Sequence, residues 1–148
     1  MNMQEVMAEL SATITEAKTA ILATVDEHKS PSMRWITPGL LSSVPGSIFF
    51  LTSPASRKIT HLRNNPSVQW SLQTASLQKI INVDGQARIH ESPGLINEVL
   101  ETVASRLTTF WKVNPDQHSM VVVETRISQA TLFNPLSGEH KQASFSLE

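Results

Sequence analysis

The sequence predicts a mainly β fold with flanking helices: an antiparallel sheet closed into a small barrel. Three observations carry this. Most extended segments are short, β-branched and alternate apolar with polar residues. The links between strands are mostly too short for parallel crossovers, which need a dozen or more residues. Segments with helical spacing stand before, between and after the strands, where they can cover the outside of a barrel.

Met3, Val6, Met7, Leu10 and Ile14 recur at helical spacing, so residues 3–17 predict an amphipathic helix. "AILATVD" (20–26) is a strand, "EHKSP" a turn, and "SMRWIT" (32–37) the second arm of a hairpin. Asp26 and Glu27 suit that turn. "PGLLSSVPG" is a loop by its prolines and glycines, and "SIFFLT" (47–52) is a third strand. A short helix over about 54–64 follows, with Ser53 as cap and Pro54 at the first helical position. "SVQWSLQT" (67–74) alternates cleanly and puts Trp70 in the core.

"IINVDGQARI" (80–89) contains Asp84-Gly85, a hairpin dipeptide. Ile81, Val83, Ala87 and Ile89 nonetheless keep period two through it, so one long strand is expected, with Gly85 a bend or close-approach point on the inward face. Leu95 to Leu107 repeat at helical spacing and predict a helix over about 93–107. "FWKVNPDQHS" is a loop with an exposed aromatic pair. Residues 120–134 predict one strand (120–127) or two, with 130–134 as the second. The polar tail 135–148 closes a single domain, 1–148.

Composition narrows the function. The net charge is −1 and only 17% of residues are charged, which argues against a dedicated nucleic-acid binder. No apolar run approaches the ~20 residues of a spanning helix, so no membrane segment is expected. Cysteine is absent, which rules out disulfides, thiolate metal sites and thiol nucleophiles. The N-terminus shows no basic-then-apolar signal pattern, and cytoplasm is the expected location. The histidines show no metal-ligand spacing, so no metal is expected. Among them His61 reads as a surface residue. Glu124 and Arg126, two apart on one strand face, read as a solvated pair or a dimer contact.

One stretch breaks a local rule. In "IFFLTSPASRKITHLRNN" a strand ends in hydroxyls and the start of the following helix carries Arg57 and Lys58. The helix dipole disfavours cations there. A bound phosphate resolves the conflict: Thr52, Ser53 and Ser56 donate to its oxygens, and Arg57 and Lys58 neutralise it. Solvated cations behind a simple serine cap fit the same residues, and the stretch alone leaves both readings open. Arg34, mid-strand on the face of Ile36, can reach the same anion if that face lines a crevice. The backbone of Trp35 and Ile36 would then lie along a planar ligand.

With these residues in place, the chain resembles the pyridoxamine 5′-phosphate oxidase-like split-barrel flavoproteins, in particular their small general-stress-protein-26-type branch. "AILATVDEHKSPSMRWI", "IFFLTSPASRKITHLRNNPSVQWSL" and "INVDGQARI" match in family order over roughly residues 5 to 107. The resemblance implies a homodimer of six-stranded antiparallel split barrels with FMN at the subunit interface. It implies that Arg34 and Lys58 hold the FMN phosphate, with Ser53, Ser56 and Arg57 close by. Trp35 and Ile36 would lie along the ring system, Thr52 at its ring or ribityl end, and Trp111 would come from the second subunit. The implied activity is oxidoreduction between a small-molecule electron donor and acceptor. The alternative is a protein of this fold that holds flavin, deazaflavin or haem without turnover, or a structural dimer. The full oxidases continue the second strand as Arg-x-Val-x-x-Lys, whereas this chain has Gly39 at the lysine position. Their C-terminal tryptophan and arginine have no counterpart here, so the resemblance implies FMN and names no substrate.

Overall fold

The computed structural model describes residues 1–104 and 120–147. In chain order they form α1 (Met3–Ala17), β1 (Ala20–Val25), β2 (Pro31–Ile36), β3 (Ser47–Thr52), α2 (Arg57–Asn64), β4 (Ser67–Gln73), β5 (Ile80–His90), α3 (Pro93–Val103), β6 (Val121–Phe133) and β7 (His140–Ser144). All strand pairs are antiparallel, in the order β2-β1-β4-β5-β6-β3, with β7 paired to β6. The path holds the six expected strands. The seventh is a correction: the tail after Pro135 carries β7, whose Ala143 is buried in the core.

The ends of this path nearly meet. Just beyond β2, Gly39 exchanges two backbone hydrogen bonds with Phe49 of β3, at 2.7 and 2.8 Å. That single bridge joins the two edges and leaves the rest of the seam split. A Cβ at Gly39 would lie 2.8 Å from Val103 Cγ1, so any side chain there would force Val103 of α3 to shift.

The interior is filled by Leu22, Phe50, Trp70, Leu72, Val83, Val123 and their neighbours. Trp70 meets Phe50 edge-on at 5.7 Å between ring centroids, and its indole N–H donates to Thr125 Oγ1 at 3.0 Å, so the one polar atom of the largest core residue is satisfied. α1 buries Val6, Leu10 and Ile14 against this core. The Asn2 side chain caps it by accepting from the Glu5 N–H, and Lys18 ends it at φ 65°. A second cluster, Phe49, Leu51, Val99, Val103 and Val122, lies on the outer face beneath α3. β3 is therefore buried on both faces, which explains its unbroken apolar run.

β5 is one strand, as its periodicity predicts. A Cβ at Gly85 would lie 2.5 Å from the Arg126 carbonyl oxygen, so the glycine marks a close approach of β6. β6 is also one strand, where the sequence suggests an interruption. Asp84 pairs with Gln129 and Gly85 with Ile127, so Ser128 is an extra residue opposite the junction. This bulge changes the phase of the pattern from Val123-Thr125-Ile127 to Ala130-Leu132, all of them buried. The Ser128 hydroxyl donates to the Asp84 carbonyl at 3.1 Å and fixes it.

Candidate functional site

The split between β2 and β3 brings together three cations, Arg34, Arg57 and Lys58, that have no ion-pair partner among the described residues. β2 alternates, with Ser32, Arg34 and Ile36 half-buried and Pro31, Met33 and Trp35 exposed. Arg34 lies opposite Leu22 and Ser32 opposite Thr24 on the neighbouring β1, so Arg34 looks toward the inner face. Its Nη1 donates to the Leu22 carbonyl at 3.2 Å and to Thr24 Oγ1 at 2.8 Å, and its Nη2 to Ser32 Oγ at 3.0 Å. A guanidinium has five N–H donors. With both on Nη1 engaged and one on Nη2, the Nε–H and one Nη2–H remain, on adjacent nitrogens. Both are available to an oxyanion.

On the other side of the split, β3 ends at Thr52. The chain then turns through residues 53–56, with the Ser56 N–H bonded to the Ser53 carbonyl at 3.1 Å. Here the structure corrects the expected helix start. Pro54 occupies the second position of a turn, the Ser53 hydroxyl accepts from the Ala55 N–H, and α2 begins at Arg57 with Ser56 at its N-cap. The cations thus lie in the first turn of α2, where its leading N–H groups have no helical acceptor.

Lys58 Nζ donates to Thr52 Oγ1 at 3.0 Å, and the Thr52 hydroxyl donates onward to Ser56 Oγ at 3.2 Å. The lysine keeps two spare N–H donors and the Ser56 hydroxyl keeps its own hydrogen. Burial, and then the charge of Arg34, draw the Lys58 pKa below its ordinary value. Burial, and then the charge of Arg57, do the same to Arg34. Each of these cations feels another, and among the described residues none of Arg34, Arg57 and Lys58 makes an ion pair. The site is rich in donors and poor in acceptors, an arrangement that can receive an anion.

The predicted residues divide as follows. Arg34, Thr52, Ser56, Arg57 and Lys58 gather around the split, and Ser53 lies in the turn beside them. Ile36 shares the inward side of β2, whereas Trp35 points the opposite way and is 70% exposed. Trp111, with the rest of the predicted loop and the last turn of the predicted 93–107 helix, lies outside the described residues.

Two sequence readings need correction. His61 is not a surface residue: it is 4% exposed, and its Nδ1 lies 2.9 Å from Thr24 Oγ1. Glu124 is not part of a solvated pair with Arg126. It is 9% exposed on the outer face, its Oε2 accepts from the Ser47 hydroxyl at 2.6 Å, and its Oε1 lies 2.8 Å from His90 Nε2. Burial raises the Glu124 pKa, but the bonds from Ser47 and His90 outweigh it and hold the carboxyl below its ordinary value. Among the described residues no group of His, Asp and Glu is placed to hold a metal, and no helix is long and apolar enough to cross a membrane.

Comparison with known proteins follows the same lines. The family model described as pyridoxamine 5′-phosphate oxidase matches residues 6–134. No curated protein matches the chain in sequence. Among solved structures, general stress protein 26 from Bacillus anthracis is 21% identical, with a TM-score of 0.67 over 94% of this chain and 99% of that one. A pyridoxamine 5′-phosphate oxidase-related, FMN-binding protein from Nostoc punctiforme is 14% identical, with a TM-score of 0.69 over 97% and 95%. A heme binding protein from Mycobacterium smegmatis is 17% identical, with a TM-score of 0.69 over 92% of this chain and 56% of that one. At these identities the likeness is one of fold.

Proposed function

The chain belongs to the pyridoxamine 5′-phosphate oxidase family, and from that premise we propose that it binds FMN at the split and acts as a flavin-dependent oxidoreductase on a small molecule. The observation that carries the reading is the convergence of Arg34, Arg57 and Lys58 without a carboxylate partner among the described residues. A phosphate dianion is the group such a site lacks.

In this reading Lys58 and the free N–H groups of Arg34 hold the phosphate, Ser53 and Ser56 donate to it, and the exposed Arg57 closes over it. Thr52 fixes the Lys58 ammonium and stands where the phosphate gives way to the ribityl chain. β2 is an edge strand, so alternate backbone groups face away from β1 and are free to pair with the polar rim of a ring system. The Trp35-Ile36 backbone supplies them. Bound FMN supplies the two-electron chemistry, and the protein supplies binding, orientation and exclusion of water.

The partner in this reading is a second copy of the chain. Met33 and Trp35, 72% and 70% exposed, give β2 an apolar outward face beside the site. Seating a second copy there covers that face and brings the partner's surface over the ligand.

The test is an absorption spectrum of the purified protein with mass identification of the released cofactor. Flavin bands and FMN are expected. A protein that is colourless and takes up no added FMN overturns the proposal. A haem spectrum replaces it with the cofactor-holding alternative. Flavin that is never reduced by a nicotinamide or other small donor removes the oxidoreductase half.

A further inference from the structure

Among the described residues His61 is the one buried imidazole beside the split, and the phosphate reading makes no use of it. It lies on α2 between Ile59 and Leu62, whose burial turns that side of the helix inward. Its Nδ1 meets Thr24 Oγ1 at 2.9 Å, and the same oxygen receives Arg34 Nη1 at 2.8 Å. Thr24 is buried, so its hydroxyl hydrogen needs a partner inside the protein. Arg34 is only a donor and cannot take it. The arrangement that satisfies the Arg34–Thr24–His61 junction has Arg34 donating to Thr24, Thr24 donating to His61 Nδ1, and the imidazole hydrogen on Nε2.

The consequence is directional. An acceptor at Nδ1 turns the Thr24 hydroxyl hydrogen away from the guanidinium and presents a lone pair to it. The bond from Thr24, together with those from the Leu22 carbonyl and Ser32, fixes the guanidinium plane. The plane in turn decides where the free Nε–H and Nη2–H point. Without the acceptor on α2, the Thr24 hydrogen can rotate toward Arg34, which then loses one of its anchors.

Resting on the FMN reading above, we propose that His61 is a positioning residue for phosphate capture, acting through Thr24 to orient Arg34. α2 then serves the site twice. Its first turn brings Lys58 and Arg57 to the anion directly, and its second turn sets the arginine that reaches the anion from β2.

The test compares FMN with riboflavin, which lacks the phosphate, on the full-length protein. His61→Leu removes the acceptor, and FMN affinity should fall by about three- to tenfold, the scale of one lost hydrogen bond. Riboflavin affinity should stay within about twofold. His61→Asn places a side-chain oxygen near the Nδ1 position and should restore most of the FMN affinity. Thr24→Val removes the bridging hydroxyl and should match His61→Leu, and the double variant should be no worse than either single one. Thr24→Val carries the test if His61→Leu does not fold.

A His61→Leu protein that keeps the full preference for FMN overturns the proposal. Equal losses for FMN and riboflavin overturn it as well, because they assign His61 to the fold and not to the grip. If the unaltered protein binds riboflavin as tightly as FMN, the phosphate reading itself is what has failed.

Discussion

Arg34 and Trp35 are adjacent on β2 and face opposite ways: the guanidinium bonds to Thr24 on the inner face, while the indole stands 70% exposed on the outer one. One strand thus serves two purposes, and substitutions on its two faces separate them.

On the inner face, Lys58→Ala and Arg34→Ala should each weaken FMN by about ten- to a hundredfold, the scale of a charge-assisted bond. Riboflavin should be barely affected. Arg57 is exposed, so Arg57→Ala should cost less than either. Titration calorimetry with both ligands checks this, and parallel losses for riboflavin would falsify the assignment of these residues to the phosphate.

On the outer face, Trp35→Glu or Met33→Glu puts a charge where a second copy is proposed to sit. Sedimentation should show the unaltered chain as a dimer and either variant shifted toward monomer, with unchanged circular dichroism. If both variants sediment like the parent, the dimer uses another surface.

Glu124 makes the stability of the fold depend on acid. Its folded pKa lies below its ordinary value, so its contribution is complete above the ordinary carboxylate range and is lost as pH falls through the folded pKa. Glu124→Gln should be less stable than the parent at neutral pH, and the gap should narrow in acid. Denaturant melts from neutral pH to below pH 4 measure this. A gap that stays constant across that range contradicts the role given to its carboxylate.

Gly85 tests the close approach of β5 and β6. Gly85→Ala drives a Cβ toward the Arg126 carbonyl oxygen and should cost about 1–3 kcal/mol or more. Gly94→Ala, in the first turn of α3 with only Ser92 Oγ near at 3.9 Å, should be neutral or stabilising by up to about 1 kcal/mol. Thermal melts of the two variants should move in different directions, and a harmless Gly85→Ala would refute the contact.

Much of this was legible in the sequence because it is local. The alternation in β4 and β5, the helical spacing in α1, and the hydroxyl-then-cation run at 52–58 are each decided within a few residues. What escaped was decided across the fold. His61 is buried beside a threonine 37 positions away that its imidazole meets, and Glu124 is held by Ser47, 77 positions away, and by His90, 34 away. Ser128 breaks the phase of β6, which is why the sequence ends a strand at 127 and leaves a second over 130–134 open, and that residue makes sense only against Asp84 and Gly85 of β5. Pro54 suits a helix start or a turn equally well, and the Ser53–Ser56 hydrogen bond decides for the turn. Gly39, read as a missing cation, bridges the seam to Phe49 with Val103 of α3 close against it.

The pairing of β3 with β6 also constrains how the chain matures. Thr52 meets Val121, so the most apolar strand waits for a mate made 69 residues later. A polypeptide leaving the ribosome can assemble the meander of β1, β2, β4 and β5 while Ile48, Phe49, Phe50 and Leu51 still lack their neighbour. That interval, before residues 121–126 emerge, is when the nascent chain is most exposed to misassociation and to chaperone capture.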